Sequence, residues 1–243
     1  MIKQTAAPLP AYSLRSSARA RRISLRVLPD RGLEVVLPVS ADPACVPEIL
    51  IRHSGWIART LARMPSPAAP DAAPPPFFLL RGGEEQIFLH PFSASLSPQD
   101  LPPPAPRLRH LSLPENPARA FSALRAWLRA EARSFLASML ARLAQAHTFT
   151  YSGPDIRMQR TRWGSCSASG RIHLNACLLF LPETHIRHVL LHELCHTRRL
   201  DHSPAFWRLL FSLEPDALDL DAALRRAWRH VPAWIFSGNR PSR

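Results

Sequence analysis

His192-Glu193-Leu194-Cys195-His196 is the segment of this 243-residue chain whose residue types and spacing can do chemistry. On a helix, residues four apart lie one turn apart on one face, so both imidazoles converge on one ion. Neutral imidazole suits zinc at about 2.0–2.1 Å. Glu193 sits one position round from His192, outside the ligand set yet near a metal-bound water. Zinc lowers the pKa of that water toward ~7, and a carboxylate of glutamate length can take its proton. His202 offers a third imidazole after five intervening residues. An unbroken helix would turn it about 240° away from His196, so the helix must stop near 199–201. Asp201 and Glu214 are the alternative third ligands. This reading predicts a zinc-dependent hydrolase holding one Zn2+ per chain on His192, His196 and His202, with Glu193 catalytic. A metzincin is excluded: Arg199 stands where that pattern needs glycine, and no methionine follows Met158 to form its turn.

The elements that must position these residues follow from the apolar pattern. Ile186, Val189, Leu190, Leu191 and Leu194 place the motif in an apolar helix opened by Pro182 and running to about 199. Ser203-Pro204 and Pro215-Asp216 start two more helices. Short strands at 156–160 and 171–174 bracket Trp163-Gly164-Ser165-Cys166-Ser167. A long helix runs from Pro117 to about 147, with Asn116 as its N-cap. Upstream, 23–37 reads as a hairpin turning at Pro29-Asp30-Arg31-Gly32, and 46–64 as one helix that Pro65 ends. Residues 65–76 read as an extended linker, 77–80 and 86–89 as a small hairpin around Gly82-Gly83, and 91–117 as nearly structureless apart from a strand at 107–113. The expected fold is α+β: an N-terminal β-hairpin and helix (1–64), a Pro-rich linker or variable insertion (65–116), a catalytic region (117–235) and a tail (236–243).

Composition narrows the class. No apolar run approaches the ~20 residues of a bilayer span, and the first 22 residues lack the apolar core of a secretory signal, so a cytoplasmic protein without membrane association is expected. Four cysteines without CxxC pairing exclude a thiolate zinc ribbon and read as reduced thiols. A formal charge of +13 asks for an anionic partner, nucleic acid among them, but the basic residues are almost all arginine beside 26 prolines, which equally fits compositional drift. Arg160 and Arg162 suit phosphate or carboxylate. Gly164 permits a tight turn or a close backbone approach. Trp163 reads as packing against the metal helix or stacking on a ligand. Cys166 and Cys195 read as small core residues, with metal ligation as the alternative.

Several segments together resemble a known family. Arg160-Thr161-Arg162-Trp163-Gly164-Ser165-Cys166-Ser167, Gly170-Arg171-Ile172, Leu174-Asn175, the His192–His196 motif and Asp201-His202-Ser203-Pro204-Ala205-Phe206-Trp207 are similar to the YgjP-like metallopeptidase-domain family. Arg19-Ala20-Arg21-Arg22-Ile23-Ser24-Leu25-Arg26-Val27 and Trp56-Ile57 resemble its opening, so the likeness spans about 12–64 and 117–213. The resemblance implies a zincin-like domain related to the WLM and SprT-like groups, with His192, His196 and His202 as ligands, Glu193 catalytic and a peptide substrate. In zincins an edge strand beside the metal helix aligns the peptide, and strands flanking the Trp163 segment are the candidates. Arg160, Arg162, Ser165 and Asn175 are the expected substrate contacts. Two alternatives remain: hydrolysis of a nucleoside triphosphate phosphoanhydride, and a nucleic-acid-associated protease of SprT-like type. The 65–116 stretch is longer than this family leads one to expect.

Overall fold

The computed structural model describes residues 10–28, 32–62, 74–91 and 107–236. Among them the chain is mixed α+β, with six α-helices and three small sheets. In the first sheet β3 (Gly32–Pro38) lies between β1 (Tyr12–Ser17), its parallel neighbour, and β2 (Ser24–Leu28), its antiparallel one. The expected hairpin is therefore present, its turn lying outside the described residues. Leu33, Val35 and Leu37 form its inner face against Val46, Leu50 and Ile57. The helix expected at 46–64 is two, α1 (Val46–Arg52) and α2 (Ser54–Leu61). The break is a kink: Ile57 N–H still donates to His53 O at 3.0 Å, but His53 leaves helical geometry before Ser54-Gly55, a pair that bends helices.

The stretch expected as a linker is partly built into the main core. β4 (Phe77–Leu80) and β5 (Glu85–Pro91) pair antiparallel, and β6 (Leu108–Leu113) adds in parallel to β5. Phe78, Leu80, Ile87 and Leu113 are buried with α3 (Pro117–Ala146) in one continuous cluster. Residues 63–73 and 92–106 of that stretch lie outside the described residues. α3 starts as its sequence predicts, with the Asn116 side chain accepting from Arg119 N–H at 3.1 Å. It ends with Thr148 in the left-handed region (φ 55°) and Phe149 N–H donating to Ala144 O at 2.8 Å, the six-to-one bond of a Schellman turn with threonine in the usual glycine position.

The third sheet and two helices frame the site. β9 (Ile172–Asn175) is central, parallel to β7 (Pro154–Arg157) and antiparallel to β8 (Gly164–Cys166), which forms a sheet edge. Residues 176–180 follow as a buried 3-10 turn, and α4 (Glu183–His196) crosses the core. α5 (Pro204–Leu213) and α6 (Ala217–Leu224) come next. Two further 3-10 turns, 227–230 and 233–236, bring Trp228, Trp234, Ile235 and Phe236 back into the main cluster.

Candidate metal centre and cleft

α4 is buried nearly all round, which its sequence dictates: Ile186, Val189, Leu190, Leu191 and Leu194 fill the core and leave one stripe of histidines. His192 and His196 fall one turn apart on that stripe. The helix ends at His196, three residues earlier than expected, and Arg198 and Arg199 N–H groups both donate back to Cys195 O in a tightened last turn. The chain then reverses through Leu200–Ser203 and brings His202 over the helix end. Arg198 fixes this reversal from outside: its guanidinium lies 4.1 Å from the Phe149 ring centre and donates to the Thr148 carbonyl at 2.7 Å.

His192 Nε2 lies 3.0 Å from His196 Nε2 and 3.1 Å from His202 Nε2. These three side chains are the cluster among the described residues that can hold a metal ion. Burial, and then the neighbouring histidines, push the His192 pKa down to about 3, and burial lowers that of His196 as well. His196 Nδ1–H donates to Arg199 O at 2.9 Å, which leaves its Nε2 lone pair facing the other rings. Three converging imidazole nitrogens without protons to share repel one another, and a divalent cation removes that repulsion, so the donor set fits a metal. Phe206, fully buried, supports all three rings, its centroid 4.5–5.0 Å from theirs. Glu214 is drawn elsewhere: it forms an ion pair with Arg187. Asp201 is exposed and not part of the cluster.

Glu193 is 5% exposed, and its Oε2 is buried with no hydrogen-bond partner among the described residues. Burial pushes its pKa up to about 8, while the Arg162 charge works in the opposite direction. Gly164 makes this placement possible. A Cβ there would stand 2.5 Å from Glu193 Oε1, so the absent side chain admits the carboxylate against edge strand β8. Gly164 thus serves a close approach, with an ordinary φ.

The other expected contacts separate. Asn175 is fully buried and spends its side chain on the fold: Nδ2 donates to Gln159 O (2.7 Å) and Arg162 O (2.8 Å), and Oδ1 accepts from Cys177 N–H (3.0 Å). These bonds tie it to the loop that carries Arg162. Ser165 pairs with His173 and, by strand alternation, takes the face opposite Gly164 and Glu193. The Arg160 guanidinium sits 5.5 Å from the Phe236 ring centre. Of the four, Arg162 alone acts electrostatically on Glu193. Trp163 stacks on Trp228 (4.1 Å between ring centres, 15° between planes) and lines the same cleft as His188, Val189 and His192 of α4. Cys195 is fully buried, with its thiol pushed up to about 12 by burial, and Cys166 is half-buried on the Glu193 side of β8.

A cleft of about 400 Å³ opens on His192 and Glu193 and continues to His188, Asp221 and Trp228. These last three escaped the sequence reading. His188 carried a signal, since 188, 192 and 196 share one helical spacing; Asp221 and Trp228 reach the cleft only through tertiary packing. Over this geometry, the family model for the YgjP-like metallopeptidase domain matches residues 21–227. The chain belongs to the YgjP-like metallopeptidase-domain family. No curated protein matches it. Membership in the YgjP-like family points to a metal-dependent hydrolase, and the three clustered histidines are a group able to hold an ion. No described helix of this YgjP-like chain is long and apolar enough to cross a membrane.

Proposed function

We propose that the chain is a zinc metallopeptidase of zincin-like design, with His192, His196 and His202 as ligands and Glu193 as general base. The observation that carries this reading is the meeting of three imidazole Nε2 atoms at 3.0–3.1 Å with an unpaired buried carboxylate one residue away. Three imidazoles favour zinc over harder cations such as magnesium or calcium. When bound, zinc acts as a Lewis acid toward the scissile carbonyl and acidifies the attacking water. Glu193 would take the proton of the attacking water and pass it to the leaving amine. The open edge of β8 beside Gly164 supports a peptide lying as an added strand. His196 is held in one tautomer by Arg199 O, and Phe206 keeps the rings in place, so the site needs little reorganisation on metal binding.

A second reading, phosphoanhydride hydrolysis in a nucleoside triphosphate, is favoured by one observation: the Arg162 charge acts on Glu193, a cation that could meet phosphate. One screen separates them. Zinc-loaded protein is offered peptides and nucleoside triphosphates, with Glu193→Gln alongside. Peptide turnover that disappears in the variant while zinc is retained supports the peptidase; nucleotide turnover alone supports the second reading. Turnover of either kind that survives Glu193→Gln sinks the assignment of the base.

A further inference from the structure

The cleft is larger than a metal, a water and a peptide carbonyl require. At about 400 Å³ it falls in the size range of pockets that engulf an organic group, roughly 300–1,000 Å³. From the metal end it follows α4 back by one turn to His188, which is 1% exposed and whose Nδ1 has no hydrogen-bond partner among the described residues. One wall is the Trp163–Trp228 stack. Trp163 cannot swing, because its Nε1–H donates to Leu224 O at 3.3 Å and Trp228 covers its face at 4.1 Å between centres. The opposite lip carries Asp221 and Arg225, which pair with each other at 2.6 Å.

Each feature limits the occupant. A self-neutralised Asp221–Arg225 pair offers no net charge to a lysine or glutamate. A rigid indole wall rewards flat apolar area, which a small side chain lacks. His188, lining the cleft one turn back from His192, offers a ring nitrogen to a hydroxyl or N–H at the far edge of that flat group. Trp228 lies beyond the residues 21–227 that the family model matches, and the buried Trp234, Ile235 and Phe236 anchor its segment. One half of the wall, Trp228, therefore comes from the C-terminal turns, and the other, Trp163, from the loop before β8.

We propose that this pocket receives a large planar side chain with a polar edge, tyrosine or its like, next to the bond being cleaved, with Trp228 and His188 setting the preference. The proposal rests on the metallopeptidase reading for the word "cleaved", but the pocket can be tested without turnover. Tyrosine, phenylalanine and alanine hydroxamates anchor on zinc through the same group and differ only in what enters the pocket. Calorimetry on zinc-loaded protein should find the tyrosine compound about tenfold or more tighter than the alanine compound, and also tighter than phenylalanine by about threefold or more. Trp228→Ala should bring the tyrosine-to-alanine ratio to within about twofold, whereas Trp228→Phe, which keeps a ring and guards against simple unfolding, should retain most of it. His188→Leu should erase the tyrosine-to-phenylalanine difference and leave phenylalanine ahead of alanine. Equal affinities in the parent protein, no binding of any of the three, or a tyrosine-to-alanine ratio unmoved by Trp228→Ala at full zinc content overturns the proposal. The two readings fail separately: hydroxamate selectivity without cleavage of any peptide removes the peptidase and keeps the pocket, and peptide cleavage indifferent to side chain does the reverse.

Discussion

Two glutamates are buried to nearly the same depth in this molecule, and their surroundings are opposite. Glu85, on β5, is 2% exposed and forms ion pairs with Arg81, itself buried, and with Arg109 at 3.2 Å, which also reaches Glu131 on α3. Glu193, on α4, is 5% exposed and has a buried oxygen with no partner. Burying a carboxylate without compensation costs several kcal/mol, so chains that do it without function are rare. The middle sheet uses its carboxylate to hold a turn against the long helix. α4 keeps its carboxylate without a partner, which on the proposed reading leaves it free to accept a proton. Burial alone therefore does not separate the two carboxylates; the missing partner does, and it supports the proposed base.

The comparison can be broken in four places. Glu193→Gln should lower turnover of whichever substrate is found by about 10²–10⁴-fold, with zinc content by atomic absorption unchanged. Glu85→Ala should leave turnover per folded molecule within about twofold but cost about 3–5 kcal/mol in urea unfolding, because it strands Arg81 inside the core. A Glu85 variant that lost activity at full stability would erase the distinction. Gly164→Ala places a methyl where Glu193 Oε1 now lies and should cost about 1–3 kcal/mol of stability together with about tenfold or more in turnover. The smallest effect concerns the metal-stripped protein. There the folded-state pKa of Glu193 is raised from 4.5 to about 8, so its contribution to stability is full below 4.5 and is lost as pH rises through 8. Thermal melts in chelator should show Glu193→Gln more stable than the parent by about 1–2 kcal/mol at pH 8.5, with the gap closing below pH 4.5.

The parts that were legible from sequence are those written in local pattern. Asn116-Pro117 announces α3, the apolar run around 186–194 announces α4, and the angular drift between His196 and His202 requires the reversal that the structure contains. What escaped was non-local. β1 has no buried face for periodicity to reveal, since Tyr12 to Ser16 are exposed and Ser17 half-buried; the parallel pairing with β3 alone defines it. A strand at 107–113 is expected from the sequence, but the parallel ladder of β6 to β5, and so its place in the core, has no local signal. At the site, Asn175 has the residue type of a substrate contact, and only its three hydrogen bonds show it spent on the loop. Trp228 lies 65 positions from Trp163, a separation no spacing rule covers.

Thr148 carries one more consequence. A β-branched residue in the left-handed region is held there against its own preference, and Arg198 helps to hold it through the carbonyl it grips. The same arginine braces the reversal that delivers His202. Relaxation of one residue's backbone handedness at the end of α3 would thus loosen the reversal that carries His202. On the proposed reading, retention of an ion by the three histidines would be coupled to fraying of a helix end fifty residues upstream, and metal affinity would report how firmly that end is held.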